Sequence, residues 1–172
     1  MDKINNRACV FVGSFDPMTK GHVEIVKKCT QLFDTVYVGV LNNEDKSYFL
    51  NDEERLFCAQ ESLKGIEGIV VEKFDGLCVD YMRARNVSIY VRGLRNEADY
   101  KYECTIDSLN KILYPEIFTV FLQCDKDYVD VSSSDIRNKI LKGEEISEFV
   151  APAVEDLMRK KVEELKTKNN LN

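Results

Sequence analysis

The chain has 172 residues, of which 44% are hydrophobic and 31% are charged, and its formal net charge at pH 7 is −6. This length suits one globular domain with a substantial core. The negative charge argues against broad binding to nucleic acid or to membranes, while leaving room for a local basic pocket. The sequence shows no apolar run long enough to span a membrane and no export signal, so we expect a cytoplasmic protein.

The six cysteines are dispersed along the chain, and none has the Cys-x-x-Cys spacing of a metal or redox motif. Most of them lie on apolar faces of predicted elements, where a free cysteine packs as a small hydrophobic side chain. Because the chain has a single histidine, a histidine-based metal cluster is excluded as well. We therefore predict reduced cysteines and no metal bound by protein side chains.

Strand and helix patterns alternate along the chain. Apolar, β-prone runs predict strands at residues 8–12, 35–41, 69–71, 88–91 and 118–122. Apolar residues at helical spacing predict helices that begin near residue 22 and over residues 51–63, 77–85, 98–113, 134–141 and 152–165. Five strands separated by helices imply an α/β fold, with a five-stranded parallel sheet and helices on both faces. The polar tail over residues 166–172 is expected to fray.

Three polar clusters follow predicted strand ends, at residues 13–22, 92–95 and 132–134. In parallel α/β sheets, ligands bind at the carboxyl ends of the strands, where the strand order reverses. We therefore expect the three clusters to meet in one site.

The first cluster contains the only histidine, His22, in the first turn of a predicted helix. Backbone N–H groups and the positive end of the helix dipole favour a phosphate there. Gly13 lets the backbone leave the strand sharply, Pro17 stiffens the loop, and Gly21 is expected to leave room over the His22 ring. A carboxylate at Asp16 would repel an anion, so we interpret Asp16 as a brace of the loop, with a metal-linked or ribose-linked role as the alternative.

The other two clusters also offer phosphate ligands. Arg92 and Arg95 carry forked donors suited to phosphate oxygens, with a solvated basic turn as the alternative. Glu103 on the next helix orients an arginine, contacts a ribose, or faces water. The serines at 132–134 either cap a helix or also bind phosphate. Lys46, after the second strand, is a further candidate for a phosphate contact.

These motifs together resemble the nucleotidylyltransferase superfamily and, within it, the bacterial phosphopantetheine adenylyltransferase family. The strings that carry the resemblance are Gly13-Ser14-Phe15-Asp16-Pro17 with Gly21-His22, Arg92-Gly93-Leu94-Arg95, and Ser132-Ser133-Ser134. Thr19 occupies the first position of the superfamily's His-x-Gly-His motif, as in the pantetheine branch. Phe11-Val12 stands where a Tyr-Pro-type pair is common, and Cys78 stands where methionine is common. The resemblance implies a single-domain Rossmann-like nucleotidyltransferase fold over residues 1–165.

The resemblance implies that the protein transfers the adenylyl group of ATP to 4′-phosphopantetheine. The products would be dephospho-coenzyme A and pyrophosphate, in the penultimate step of coenzyme A biosynthesis. The acceptor phosphate would attack the α-phosphorus of ATP in line, so the protein would supply positioning and charge neutralisation. The family further implies Mg²⁺ carried by ATP, a homohexamer, and coenzyme A as a feedback inhibitor.

The resemblance also assigns site residues. The catalytic residues would be His22, Lys46 and Arg92. The residues for the acceptor would be Ser14, Lys46, Cys78 and Arg92. The residues for ATP would be Ser14, Phe15, His22, Gly93, Leu94, Arg95, Glu103, Tyr128, Val129, Asp130, Val131, Ser132, Ser133 and Ser134.

Two other functions compete with this one. Nucleotidyl transfer to nicotinate mononucleotide or glycerol phosphate is disfavoured by the Arg-Gly-Leu-Arg string and by Thr19. A nucleotide-sensing domain without activity would be expected to have lost parts of the site, whereas all three clusters and Lys46 are present together.

Overall fold

The computed structural model describes residues 7–42 and 46–169. Within them, five parallel strands form one sheet in the order β3-β2-β1-β4-β5. The strands are β1 Ala8–Gly13, β2 Thr35–Asn42, β3 Ile69–Asp75, β4 Ile89–Leu94 and β5 Phe118–Gln123. The helices are α1 Lys20–Leu32, α2 Asp52–Ser62, α3 Cys78–Ala84, α4 Glu97–Leu113, α5 Ser133–Leu141 and α6 Pro152–Asn169, with a short 3₁₀ turn at Lys126–Tyr128. The predicted α/β fold is confirmed.

The central strand β1 is buried on both sides, as a parallel strand between helical layers must be. Cys9 and Phe11 pack on one face in a core that includes Ile25 of α1. Val10 packs on the opposite face in a core that includes Met82 of α3. The alternation of side chains along β1 therefore builds both layers of the core.

The strand order reverses between β1 and β4, which lie side by side with Phe11 opposite Val91. The chain leaves β1 toward β2 on one side and returns through β4 and β5 on the other. At such a switch point, the loops that follow the two strands diverge and open a crevice at their carboxyl ends. The first two predicted clusters follow or end these strands, so the topology places them at the crevice.

Several predicted boundaries differ from the structure, among them those of β4 and α6. Strand β4 continues to Leu94 because residues 92–94 pair with Phe121, Leu122 and Gln123 of β5, so part of the arginine cluster lies in the strand. Helix α6 continues to Asn169, beyond the predicted end at residue 165. No glycine or proline interrupts the polar segment from residue 166 onward, so the helix has no local reason to stop there. Residues 170–172 lie outside the described part of the chain.

Other local signals have the expected structural outcome. Asn51 caps α2 by accepting a hydrogen bond from the Glu54 backbone, and the Glu54 carboxylate accepts one from the Asn51 backbone. Pro152 takes the first position of α6, where its missing N–H costs nothing. None of the helices described here is both long and apolar enough to cross a membrane.

Candidate active site

A cleft of about 810 Å³ opens at the carboxyl ends of the strands. Its walls come from the loop after β1, the first turn of α1, the ends of β2, β3 and β4, helix α4, and the start of α5. The predicted site residues that line it are Ser14, Phe15, His22, Lys46, Cys78, Arg92, Gly93, Arg95, Glu103, Tyr128, Val131, Ser132 and Ser133. All three clusters therefore meet in one cleft, as the strand-end rule predicts.

Four residues assigned to ATP are not part of the cleft wall: Leu94, Val129, Asp130 and Ser134. Ser134 is exposed, and its hydroxyl oxygen accepts a hydrogen bond from Arg137 Nη2 at 3.0 Å. Val129 and Asp130 lie in the turn ahead of α5. Their contact with ATP stays a prediction.

The His22 ring is oriented by Thr19, the residue that precedes α1. The Thr19 backbone N–H donates to His22 Nδ1 at 3.0 Å, and the Thr19 hydroxyl oxygen is also 3.0 Å from this atom. A backbone N–H can only donate, so Nδ1 is unprotonated and the proton of the neutral ring is on Nε2. The ring of Phe15 stands edge-on to the imidazole, with the centroids 5.3 Å apart. His22 therefore offers a ligand an N–H donor of fixed orientation.

Burial, Arg92 and Arg95 lower the pKa of His22 to about 4. Burial disfavours the charged ring, and the two guanidinium groups repel a second positive charge. At neutral pH the imidazole is therefore uncharged and can donate a hydrogen bond to a phosphate oxygen without adding a proton to it.

The lowered pKa of His22 predicts a loss of stability in acid. An unfolded histidine has a pKa of about 6.5 and so binds a proton before the folded one does. Above about pH 6.5, His22 is uncharged in both states and does not change the free energy of unfolding. The free energy of unfolding falls as the pH drops from there toward the folded pKa of about 4. Between pH 7 and pH 5, wild type should lose about 1–2 kcal/mol more than His22→Gln, as measured by urea unfolding. Equal losses in the two proteins would contradict this explanation.

Asp16 braces the loop, as predicted, but through distant segments rather than through a local turn. It is 3% exposed, and its carboxylate accepts hydrogen bonds from the backbone N–H groups of Phe49 and Leu50, both at 2.9 Å. Its backbone oxygen accepts a hydrogen bond from Arg137 Nη1 at 2.6 Å. Asp16 therefore links the loop after β1 to the segment before α2 and to α5.

Gly21 has a steric role toward Tyr128, and whether it also leaves room for the His22 ring stays a prediction. A Cβ atom on Gly21 would lie 3.3 Å from the Cβ of Tyr128, so this glycine allows the Tyr128 segment to approach α1. Within the loop, Gly13 makes room for Phe15, because a Cβ atom on Gly13 would lie 2.8 Å from the ring of Phe15. Phe15 itself has a positive φ of 48°.

Both arginines of the second cluster are held by carboxylates on α4. Arg92 forms a two-point ion pair with Glu103, with Nε 2.7 Å from Oε2, and its Nη1 donates to the backbone oxygen of Val12 at 3.0 Å. Arg95 forms a similar pair with Asp99, at 2.8 and 3.0 Å. The hydrogen bond from Arg95 lowers the pKa of Asp99. The structure therefore supports the alternative in which Glu103 orients an arginine. The interpretation of Arg92 and Arg95 as a solvated basic turn is wrong, because a carboxylate holds each guanidinium.

The serine run caps α5 and ties it to the loop after β1. Ser132 Oγ accepts a hydrogen bond from the backbone N–H of Asp135 at 3.1 Å. Ser133 Oγ donates to the backbone oxygen of Pro17 at 2.8 Å. The capping role is therefore confirmed. Ser132 occupies the N–H of Asp135, so the N–H groups of Ser133 and Ser134, which have no partner within the helix, are those that can bind an anion.

Lys46 and Cys78 also line the cleft. Lys46 is exposed and adjoins residues 43–45, which lie outside the described part of the chain. Cys78 is half-buried at the start of α3, with its Sγ 3.6 Å from Asn110 Oδ1.

Sequence reasoning did not assign several residues of the cleft wall. They include Thr19, Asn42, Tyr48, Asp75, Gly76, Leu77, Tyr90, Asp99, Tyr102 and Cys124. Residues 75–77 end or follow β3. The strand-end rule applied to this further strand could therefore have found them.

Comparisons with known proteins show the family of the chain. Residues 10–139 match the cytidylyltransferase-like family. The phosphopantetheine adenylyltransferase of Petrotoga mobilis is 37% identical over 156 residues, covering 91% of this chain and 96% of that protein. The phosphopantetheine adenylyltransferase of Paraburkholderia xenovorans is 36% identical over 160 residues, covering 93% of this chain and 94% of that protein.

Two solved structures share the fold at low sequence identity. A candidate nicotinate-nucleotide adenylyltransferase from Vibrio parahaemolyticus has a TM-score of 0.66 at 16% identity, over 90% of this chain and 93% of that one. The nicotinic acid mononucleotide adenylyltransferase of Plasmodium falciparum has a TM-score of 0.60 at 16% identity, over 92% of this chain and 95% of that one. The fold is thus that of known adenylyltransferases, and the sequence relatives identify the chain as a member of the phosphopantetheine adenylyltransferase family.

Proposed function

We infer that the protein transfers the adenylyl group of ATP to 4′-phosphopantetheine, giving dephospho-coenzyme A and pyrophosphate in coenzyme A biosynthesis. The observation that carries this inference is the meeting of His22, the two oriented arginines and the N-terminus of α5 in one cleft. These groups are donors suited to several phosphate groups at once. The relatives named above supply the identity of the acceptor.

The arrangement suits direct transfer between two phosphate groups. An oxygen of the acceptor phosphate forms the new bond to the α-phosphorus of ATP, while the bond from that phosphorus to the bridging oxygen breaks and pyrophosphate leaves. A phosphate monoester is largely dianionic near neutral pH, so the attacking oxygen needs no general base. His22 then acts as a hydrogen-bond donor from Nε2, and the arginines neutralise charge that develops on the phosphates.

We propose that Lys46 and Arg92 bind the acceptor phosphate, with Ser14 and Cys78 nearby. Arg95 and the start of α5 would bind ATP. The support is that Lys46 follows β2 and that Cys78 interacts with Arg92, whereas Arg95 interacts with Asp135 of α5. Arg92, between these groups, is held by Glu103 at the switch point of the sheet.

We propose that Mg²⁺ enters with ATP. Among the described residues, no group of three or more His, Cys, Asp or Glu side chains is arranged to hold a metal ion. Two carboxylates of the cleft, Asp99 and Glu103, are occupied by arginines. The ion would therefore be carried by phosphate oxygens and water, and when bound it would neutralise phosphate charge.

A homohexamer is proposed for the assembly, with light scattering as its test. Support comes from exposed apolar side chains on α4 and β5, an uncommon surface for a monomer. These are Leu109, Ile112, Leu113 and Phe118, with exposures of 54%, 76%, 48% and 65%. The expected mass is six times the chain mass of 19.8 kDa. A monomer at micromolar concentration would contradict the assembly.

Two further proposals concern the setting of the reaction. Coenzyme A, which contains the product, is proposed as a feedback inhibitor that competes for the same cleft. A cytoplasmic location is proposed because all six cysteines are free thiols, which persist in a reducing compartment.

The function is tested by pyrophosphate release with a panel of acceptors. Purified protein, ATP and Mg²⁺ are incubated with 4′-phosphopantetheine, nicotinate mononucleotide or glycerol phosphate, and each reaction is repeated with CTP. Release should require ATP together with 4′-phosphopantetheine and should exceed the other combinations by about 100-fold or more, because a site built around one acceptor rejects poorly paired ones. Faster release with another acceptor or with CTP would overturn the assignment.

The cleft cysteines should be protected from alkylation by different substrates. Cys78 interacts with Arg92, proposed for the acceptor, and Cys124 interacts with Arg95, proposed for ATP, whereas Cys104 is not part of the cleft wall. Burial raises the pKa of Cys78 and of Cys124, so both should react slowly near neutral pH. We expect 4′-phosphopantetheine to protect Cys78 and ATP to protect Cys124, as measured by mass spectrometry after iodoacetamide treatment. Cys104 serves as the internal control.

The variant Cys78→Ser tests whether the Cys78 sulfur takes part in the reaction or only lines the cleft. Cys78→Ser should remain active and should show no acceptor-dependent protection at this position. If Cys78→Ser instead lost about 100-fold or more of the activity, the loss expected for the variant His22→Ala, the sulfur would take part in the chemistry.

A further inference from the structure

Arg55 lies directly behind one wall of the cleft. It belongs to the first turn of α2, and its side chain is completely buried, at 0% exposure. Charged side chains are seldom fully buried unless their charge and hydrogen-bonding groups are satisfied. Arg55 does not line the cleft itself, so the proposed reaction leaves it without a role.

The guanidinium of Arg55 joins two strand ends. Its Nη1 donates to the backbone oxygen of Ser14 at 2.9 Å and to the backbone oxygen of Leu41 at 2.8 Å. Ser14 follows β1, and Leu41 lies near the end of β2. One nitrogen therefore fixes the separation of the backbone at these two points.

The remaining contacts extend this connection toward Lys46. Nη2 donates to Asn42 Oδ1 at 3.2 Å and to Asp52 Oδ1 at 2.8 Å. The guanidinium carbon lies 4.0 Å from the centre of the Tyr48 ring, which stacks against its plane. Ser14, Leu41, Asn42 and Tyr48 all line the cleft, whereas Asp52 does not.

These contacts involve the loop after β1, the end of β2 and the segment that contains Tyr48, close in sequence to Lys46. On the ATP side, Arg95 is held by Asp99, and the start of α5 is held by the contacts of Ser132 with Asp135. We propose that Arg55 is a positioning residue that sets the geometry of the acceptor-phosphate half of the cleft. This proposal rests on the proposed function, because it names the acceptor side of that same site.

The planar fork explains why an arginine is needed. Arg55 directs separate N–H groups to four oxygens and presents a flat face to Tyr48. A lysine ammonium keeps the charge but cannot match these directions or stack in the same way. Loss of the fork should let Ser14 and the end of β2 separate, which displaces the groups around the acceptor phosphate.

The test compares the KM values of the two substrates in Arg55→Lys and Arg55→Met. The KM for 4′-phosphopantetheine should rise about tenfold or more, while the KM for ATP stays within about threefold of wild type, because misplaced groups weaken the substrate that they contact. Arg85→Lys and Arg85→Met are the matched controls. Arg85 also makes a two-point ion pair, with Glu72, and packs over Tyr81, but none of these residues lines the cleft.

The controls distinguish positioning from general stabilisation. The Arg85 variants should lower the thermal unfolding midpoint without changing either KM. If the Arg55 variants lower only the midpoint, or raise both KM values equally, the proposal is overturned. Absence of any activity in wild type with 4′-phosphopantetheine would instead refute the proposed function, independently of Arg55.

A milder variant covers the case in which the Arg55 variants do not fold. Asp52→Ala removes one carboxylate partner of Arg55 at a residue that is partly exposed, so folding should survive. It should raise the KM for 4′-phosphopantetheine alone, by about threefold or more, because Nη2 loses its charged anchor. An unchanged KM would overturn the proposal.

Discussion

Replacing His22 with alanine should lower kcat by about 100-fold or more, the scale of a lost transition-state donor. The physical reason is the orientation of the ring: Thr19 occupies Nδ1, so the Nε2–H is the donor available to phosphate oxygens in the cleft. The KM for ATP should change far less, because the proposed contact strengthens as charge develops in the transition state. The measurement is steady-state kinetics with both substrates varied.

Two further results bear on the role of His22. His22→Gln can place an amide N–H near the same position and should retain more activity than His22→Ala. Wild-type kcat should show no decline attributable to this ring near pH 6.5, since its pKa is lowered to about 4. A kcat for His22→Ala within about threefold of wild type would remove His22 from the mechanism.

Replacing Arg92 with lysine should impair the enzyme although the charge is kept. The guanidinium fork is paired with Glu103 and with the Val12 backbone oxygen, and an ammonium group cannot reproduce these directions. We expect kcat/KM for 4′-phosphopantetheine to fall about 10- to 100-fold, with a larger loss for Arg92→Ala. Glu103→Gln should weaken the same parameter, because it removes the charge that orients the arginine.

Arg83→Lys is a suitable control for Arg92. Arg83 pairs with Asp80 on α3, its side chain is 47% exposed, and it is not part of the cleft wall. Its replacement should leave both KM values unchanged. If Arg92→Ala raised the KM for ATP alone and left the acceptor kinetics intact, the proposed division of the cleft would be wrong.

The fold could be predicted because its central strands have simple patterns. Residues 8–12 are buried and residues 35–41 are buried or half-buried, and both runs are mostly apolar and β-prone, as parallel strands between helices must be. The apolar run predicts strand β3 only at residues 69–71, but the strand continues to Asp75. It is an edge strand and only partly buried, so Glu72 and Lys73 interrupt the apolar run that marks an interior strand.

The location of the site could also be predicted, but its internal contacts could not. The strand-end rule gathers His22, Arg92 and Ser132 without knowledge of their distances. The pairing of Arg92 with Glu103 was one of several alternatives in the sequence, and the structure distinguishes them. The contacts of Asp16 with Phe49 and of Arg55 with Ser14 join segments that are 33 and 41 residues apart, which no local pattern specifies.

The central claim is that an oxygen of the acceptor phosphate forms the new bond to the α-phosphorus of ATP. It is tested most directly with 4′-phosphopantetheine whose phosphate oxygens carry ¹⁸O, followed by ³¹P NMR and mass spectrometry of the products. We predict dephospho-coenzyme A with ¹⁸O in the oxygen that bridges its two phosphorus atoms, together with unlabelled pyrophosphate. Release of AMP, appearance of the label in pyrophosphate, or the absence of a labelled bridge would contradict the mechanism.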